Sequence, residues 1–146
     1  MTAESALLGS DDIRLLTEIG FLAAGRGELA RAEAIFGALA LLRPERAFAH
    51  VGIALALINR GRPGEAAART ERVHLPAGPE RELLAAVRAL ALQLDRRNAE
   101  ATRLLQSVVR PHANAREPAS DGVRLARRLL GEDVSAAPAA LAAAPV

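Results

Sequence analysis

Few residues in this chain could carry covalent chemistry. It has no Cys and no Lys, so every side chain that is permanently basic is an Arg. The missing Cys excludes disulfides, thiolate nucleophiles and cysteine zinc sites. The missing Lys excludes a P-loop lysine, a Schiff-base lysine and the lysine of a protein kinase. His50, His74 and His112 are widely separated and lack metal-ligand spacing, so they read as surface or partly buried side chains. The stretch "GRPGEAAART" (residues 61–70) has the glycines of a loose phosphate loop, but Arg stands where the lysine belongs and no strand precedes it. No carboxylate pair, Ser–His–Asp spacing or metal cluster stands out. The reading is therefore a non-enzymatic protein with no catalytic residue, no cofactor and no metal.

What remains is binding. The sequence pI is near 10.7, yet the formal net charge is only +2, because guanidinium groups do not titrate in this range. Weak basicity interspersed with acids argues against nucleic acid as a partner, as does the lack of base-stacking aromatics in the Arg-rich C-terminal half. Arg124, Arg127 and Arg128 give the last helix a basic edge, read as a solvated face, with an acidic patch on a partner as the sharper alternative. The N-terminal "MTAESALLGSDD" lacks a basic region and a long apolar run, so it does not read as a signal peptide. The longest mainly apolar window, "AFAHVGIALALI" (residues 47–58), is too short to span a bilayer. The expectation is a soluble cytoplasmic protein with no membrane partner.

These residues must be positioned by helices. Half the chain is apolar, led by Ala and Leu, with few aromatic and β-branched residues, a balance that favours helix over strand. Ser10 is expected to cap a helix from Asp11 to Gly25, with Ile13, Leu16, Ile19, Gly20 and Ala23 at helical spacing. Further helices are expected at about Glu28–Leu42, Arg46–Ile58, Gly64–Val73, Glu80–Leu94, Ala99–Val109 and 121–130. Turns fall at glycines and prolines, and "HANAREPAS" reads as a loop. The domain division is an N-terminal arm (1–10), a helical domain (11–131) and an Ala/Pro-rich tail (132–146).

The helices repeat. Gly27 and Gly61 are 34 residues apart, as are Ala32 and Ala66, while Pro44 and Pro79 are 35 apart. A helix-turn-helix period of 34 is that of the tetratricopeptide (TPR) repeat. The predicted fold is all-α, a TPR-like solenoid of three helix hairpins plus a C-terminal closing helix. Leu16, Ile19 and Gly20 on the first helix and Ala32 and Phe36 on the second would be packing residues. The second unit has Thr70 in place of a bulky residue, and the third has no glycine at its turn. An unrelated antiparallel helical array with similar spacing is the alternative.

In such a stack the concave face is built mainly by the first helix of each hairpin. The register points Arg14, Thr17, Phe21 and Ala24 inward from the first, and Phe48, Val51, Leu55 and Ile58, with Asn59 at the end, from the second. Ala86, Leu90 and Gln93 point inward from the third. The candidate binding groove is thus Phe21, Ala24, Phe48, Val51, Leu55, Ile58, Asn59, Ala86 and Leu90. Its apolar character suits an amphipathic helix anchored at i, i+3, i+4 and i+7. The bland alternative is that these residues are core, covered by the chain's own last helix or N-terminal segment. An exposed row of Phe and Leu predicts either a constant partner or self-association, including a homodimer when no client is bound.

Residues 15–67, "LLTEIGFLAAGRGELARAEAIFGALALLRPERAFAHVGIALALINRGRPGEAA", resemble the small TPR-like proteins of bacterial type III secretion systems. Within that group the chain is most similar to the needle-subunit chaperones of the YscG/PscG type. The features are the leading "LLTEIG" helix, "LINRG" before the fourth helix, and a third hairpin followed by one closing helix. The likeness covers roughly residues 10–130, with a degenerate third repeat and an added Ala/Pro tail as departures. What the resemblance implies is a cytoplasmic bacterial virulence chaperone. It would hold the amphipathic helix of a secreted, polymerising needle-type subunit in its groove and keep it soluble. A small co-chaperone would contact the N-terminal repeat. Phe21, Phe48, Val51, Leu55, Ile58 and Leu90 would touch the client. Alternatives are a translocator chaperone, a TPR scaffold or Hrp-type structural component of a secretion apparatus, and, last, a basic nucleic-acid-binding regulator.

Overall fold

The computed structural model describes residues 8–132. Seven α-helices lie among them: α1 (Ser10–Gly25), α2 (Leu29–Leu42), α3 (Phe48–Asn59), α4 (Pro63–Glu71), α5 (Pro79–Leu94), α6 (Asn98–Val109) and α7 (Asp121–Leu129), with one 3₁₀ turn at Arg110–His112. There is no strand among the described residues, and the fold is all-α. Residues 1–7 of the expected arm (1–10) and 133–146 of the expected tail (132–146) lie outside the described residues, and Ser10 already belongs to α1. Helix ends differ from the sequence reading by one to two residues, for identifiable reasons. Ser10 is helical rather than a cap, because Gly9 is the N-cap and its N–H donates to the Asp12 carboxylate at 3.0 Å. Pro63 and Pro79 begin α4 and α5, where a missing N–H leaves no helical bond unmade. Helix α4 ends at Glu71, so Val73 lies beyond it.

The odd-numbered helices are consecutive neighbours: α1 touches α3, α3 touches α5 and α5 touches α7. Each even-numbered helix packs between two of them, α2 on α1 and α3, α4 on α3 and α5, and α6 on α5 and α7. The turns that end the odd helices share one geometry. Gly27, Gly61, Arg96 and Gly131 all have left-handed φ (68°, 74°, 64° and 81°). The N–H after each donates back across the turn, Glu28 to Ala23 O, Arg62 to Leu57 O, Arg97 to Leu92 O and Glu132 to Arg127 O, at 2.8–3.0 Å. This is the six-to-one bond of the Schellman motif. The four turn residues are spaced 34, 35 and 35 apart, so the degenerate third turn is a real repeat with Arg in the glycine position. Helix α7, expected as a closing helix, carries the same turn and stands in register as the first helix of a fourth unit.

Five residues after each of the first three turns lies a fully buried alanine, Ala32, Ala66 and Ala101. Nine residues after stand Phe36, Thr70 and Leu105, also buried. Thr70 is tolerated there because its hydroxyl donates to Ala66 O and Ala67 O, leaving no bare polar group. Phe36 is the largest of these and is wedged between α1 and α3. A methyl at Gly20 would approach its ring to 2.8 Å, and one at Gly52 would overlap it. Ile19 breaks the expectation. Its spacing puts it on the packing stripe, yet it is 39% exposed, because it sits at the edge of that stripe with no described element packed on its side.

Two outcomes follow from this packing. Gly52→Ala, although a better helix former, should lose on the order of 2 kcal/mol of stability, because the added methyl meets the Phe36 ring. Arg96→Gly should gain about 0.5–1 kcal/mol by relieving a left-handed non-glycine residue. Urea unfolding monitored by circular dichroism checks both; unchanged midpoints would count against these packing and turn assignments.

Candidate binding surface

The α3 helix shows how the candidate site is built. Ala49, Gly52, Ile53, Ala54, Ala56 and Leu57 are buried against the neighbouring helices. Phe48, Val51, Leu55 and Ile58 recur at i, i+3, i+7 and i+10 and are all half-buried, packed at their base against the core and open on one flank. Four expected groove residues therefore do share one face. Leu90 of α5 is half-buried too, and Leu83 (half-buried) and Leu94 (52% exposed), neither of them expected from the sequence, join its flank at i−7 and i+4. Their signal was the leucine spacing 83, 90, 94 along α5, obscured because nearly every residue between them is also apolar. Phe21 of α1 is half-buried and stacks edge-on against Phe36, with ring centroids 4.9 Å apart.

Three expected groove residues are not there. Ala24 is 1% exposed and Ala86 fully buried, and neither can touch a ligand. Ala86 was placed inward by counting along α5, but α7 packs along that helix so closely that a methyl at Gly122 would run into the backbone of Glu82 and Leu83. Asn59 is structural: its side-chain amide donates to Ala24 O at 2.8 Å, tying the end of α3 to the end of α1. Gln93, also expected inward, makes the comparable tie from α5 to α7, donating to Leu129 O at 3.2 Å. Leu129 O is a carbonyl that its helix terminus leaves free, whereas Ala24 O also accepts from the Gly27 N–H.

One cleft lies away from the face that the spacing predicts. It has a volume of about 1030 Å3 and lies where α4, α5 and α6 diverge. Val73, Leu75, Leu84, Leu104 and Val108 form its apolar floor, with Glu71, Arg81, Glu82, Arg88 and His112 around them, and none of the nine expected groove residues lines it. It exists because α4 has only 9 residues against 12 in α6, and so leaves α6 uncovered. Its polar groups are largely committed to one another. His112 Nε2 lies 2.5 Å from Glu82, Ser120 also reaches Glu82, Arg88 pairs with Glu71, and the Ser107 hydroxyl donates to Leu104 O. The Nε of Arg88 alone is buried without an acceptor.

Among the described residues no group of three His, Asp or Glu side chains could hold a metal, and no helix is long and apolar enough to cross a membrane. Comparison with family models, with curated proteins and with solved structures finds no match for the chain.

His50, on α3, is half-buried, and its pKa is held below the usual histidine value, first by burial and then by the Arg69 guanidinium nearby. The unfolded chain therefore binds this proton more readily than the folded one. The neutral ring contributes stability above the unfolded value of about 6.5, and that contribution is lost as the pH falls below it. His50→Gln should flatten the decline in melting temperature between about pH 7.5 and pH 5.5. Parallel thermal scans of the two proteins measure it; identical slopes would show that His50 does not sense this window.

Proposed function

We propose that the protein is a non-enzymatic, helix-binding chaperone whose client lies along the half-open apolar faces of α3 and α5. The carrying observation is the row Phe48, Val51, Leu55 and Ile58, four large apolar side chains on one flank of α3 that are neither fully buried nor free in solvent. A client helix with apolar residues at i, i+3, i+4 and i+7 would complete their burial. Each such side chain would add roughly 0.5 kcal/mol, since most of its surface is already covered. Leu83, Leu90 and Leu94 would extend the contact onto α5.

In the finer form of this reading the helical stack is TPR-like and the client is a secreted subunit of a bacterial type III secretion system. The needle-type subunit is favoured, held unpolymerised in the cytoplasm. The repeat spacing of 34 and 35 residues between turns supports the TPR-like reading. The client identity rests on the resemblance of residues 15–67. A second reading, a scaffold within a larger secretion assembly, draws on a different observation, the exposed apolar stripe Leu15, Ile19 and Leu22 on α1.

Co-expression with the small proteins encoded beside it, followed by a pull-down, tests the function. The double variant Leu55→Glu, Ile58→Glu should lose the client, by more than tenfold in recovered complex, while keeping its helical circular dichroism. Undiminished recovery with a folded double variant would overturn the assignment of this face.

A further inference from the structure

Every odd-numbered helix after the first meets the preceding hairpin with the same register positions. On α3 the flank that does so is marked by Gly52 against Phe36, Asn59 bonded to Ala24 O, and Arg60 beside Gly27. Ala49, Ile53 and Ala56 lie along this flank and are buried. They stand twelve, eight and five residues before the left-handed turn residue Gly61. The same positions before Arg96 are Leu84, Arg88 and Ala91, and before Gly131 they are Ala119, Val123 and Ala126. All six are buried apart from Arg88 and Ala119, which are partly so.

Before Gly27 these positions are Leu15, Ile19 and Leu22, and they are 56%, 39% and 63% exposed. Helix α1 thus carries at these positions three large apolar side chains on which no hairpin among the described residues is stacked. The other end of the array is finished differently: α7 turns Asp121, Arg124 and Arg128 outward. A helical stack needs a polar cap at each end to stay soluble, and the described residues supply one only at the α7 end.

We propose that a second copy of the chain covers this face, α1 packing antiparallel on α1 about a two-fold axis through the middle of the stripe. The charges at the two ends of the stripe fit this occupant, while Glu18, which the axis brings towards its own symmetry mate, is already held by Arg14 at 3.3 Å. The acids Asp11 and Asp12 lie in the first turn of α1, and Arg26 follows its last residue. With the axis between Glu18 and Ile19, Leu15 lies across from Leu22 of the second copy, and Asp11 across from its Arg26. Asp11 makes no ion pair among the described residues, and Arg26 reaches Glu28 only at 4.0 Å. Both are therefore available for a pair that the symmetry forms twice, as an isologous interface requires. Phe21 lies roughly a third of a turn around α1 from the stripe, so the dimer does not depend on the chaperone reading.

Sedimentation of the purified full chain in low salt, at about 100 µM, tests the inference, because an interface this small is expected to dissociate in the micromolar range. The expected mass is twice the 15.3 kDa of one chain. Ile19→Glu should give a monomer with unchanged circular dichroism. Asp11→Arg and Arg26→Asp should each weaken the dimer about tenfold, and together restore it. A monomeric wild type overturns the proposal, as does a dimer that survives Ile19→Glu. So does a chain that dimerises only after residues 133–146 are removed, which would make that segment the cover. A double charge reversal that fails to restore association excludes the antiparallel two-fold arrangement.

Discussion

The ring of Phe36 occupies the space that side chains at positions 20 and 52 would otherwise fill, and the spacing of the first three helices depends on that exchange. Gly20 and Gly52 have no β-carbon, so α1 and α3 can close on the ring from either side. One aromatic side chain held by two helices at once fixes both their separation and their rotation. The later units reach the same end by other means. Leu105 is fully buried at the equivalent position of the third hairpin, and Gly122 allows α7 to lie almost on the backbone of α5. Only the second unit is weak. Thr70 fills less volume there, α4 is short, and the cleft beside α5 and α6 is the visible result.

Close packing on one side of each odd helix leaves the opposite side to be settled by what else is near. In α3 the glycine and alanines are spent on contacts with its neighbours, so the large residues Phe48, Val51, Leu55 and Ile58 are left on the remaining flank. They cannot be buried there without a further helix, and the chain supplies none among the described residues. Helix α1 presents the same situation on a different flank. Its small residues Gly20, Ala23 and Ala24 face the core, which leaves Leu15, Ile19 and Leu22 outward. In both helices small residues make the closest crossings, and some of the large ones are left on a flank with no described neighbour.

The candidate surface was partly legible, and the failures share a cause. Phe48, Val51, Leu55 and Ile58 were found because a spacing of three and four residues marks one face of a helix, whatever surrounds it. Ala24, Ala86 and Asn59 were misplaced because that spacing says where a residue lies on its helix, not which neighbour stands opposite. Ala86 disappears under α7 and Asn59 is drawn to a carbonyl of α1. Ile19 departs in the other direction: its spacing fits the packing stripe, but no described element stands on its side of α1 to bury it.

The amino-acid sequence by itself determined what can be decided within about 35 residues. That covers the helical character of each segment, the prolines that start and glycines that end the helices, the 34-residue echo and the small residues at the crossings. These are local matters of backbone sterics and side-chain spacing. The tertiary structure alone decided that α7 is the first helix of a fourth unit, that Arg96 accepts the left-handed turn, and that a short α4 opens a cleft. It also decided which of two similar apolar stripes is covered and which is bare. Burial belongs to pairs of elements distant in the chain, and no single helix encodes whether its partner is present.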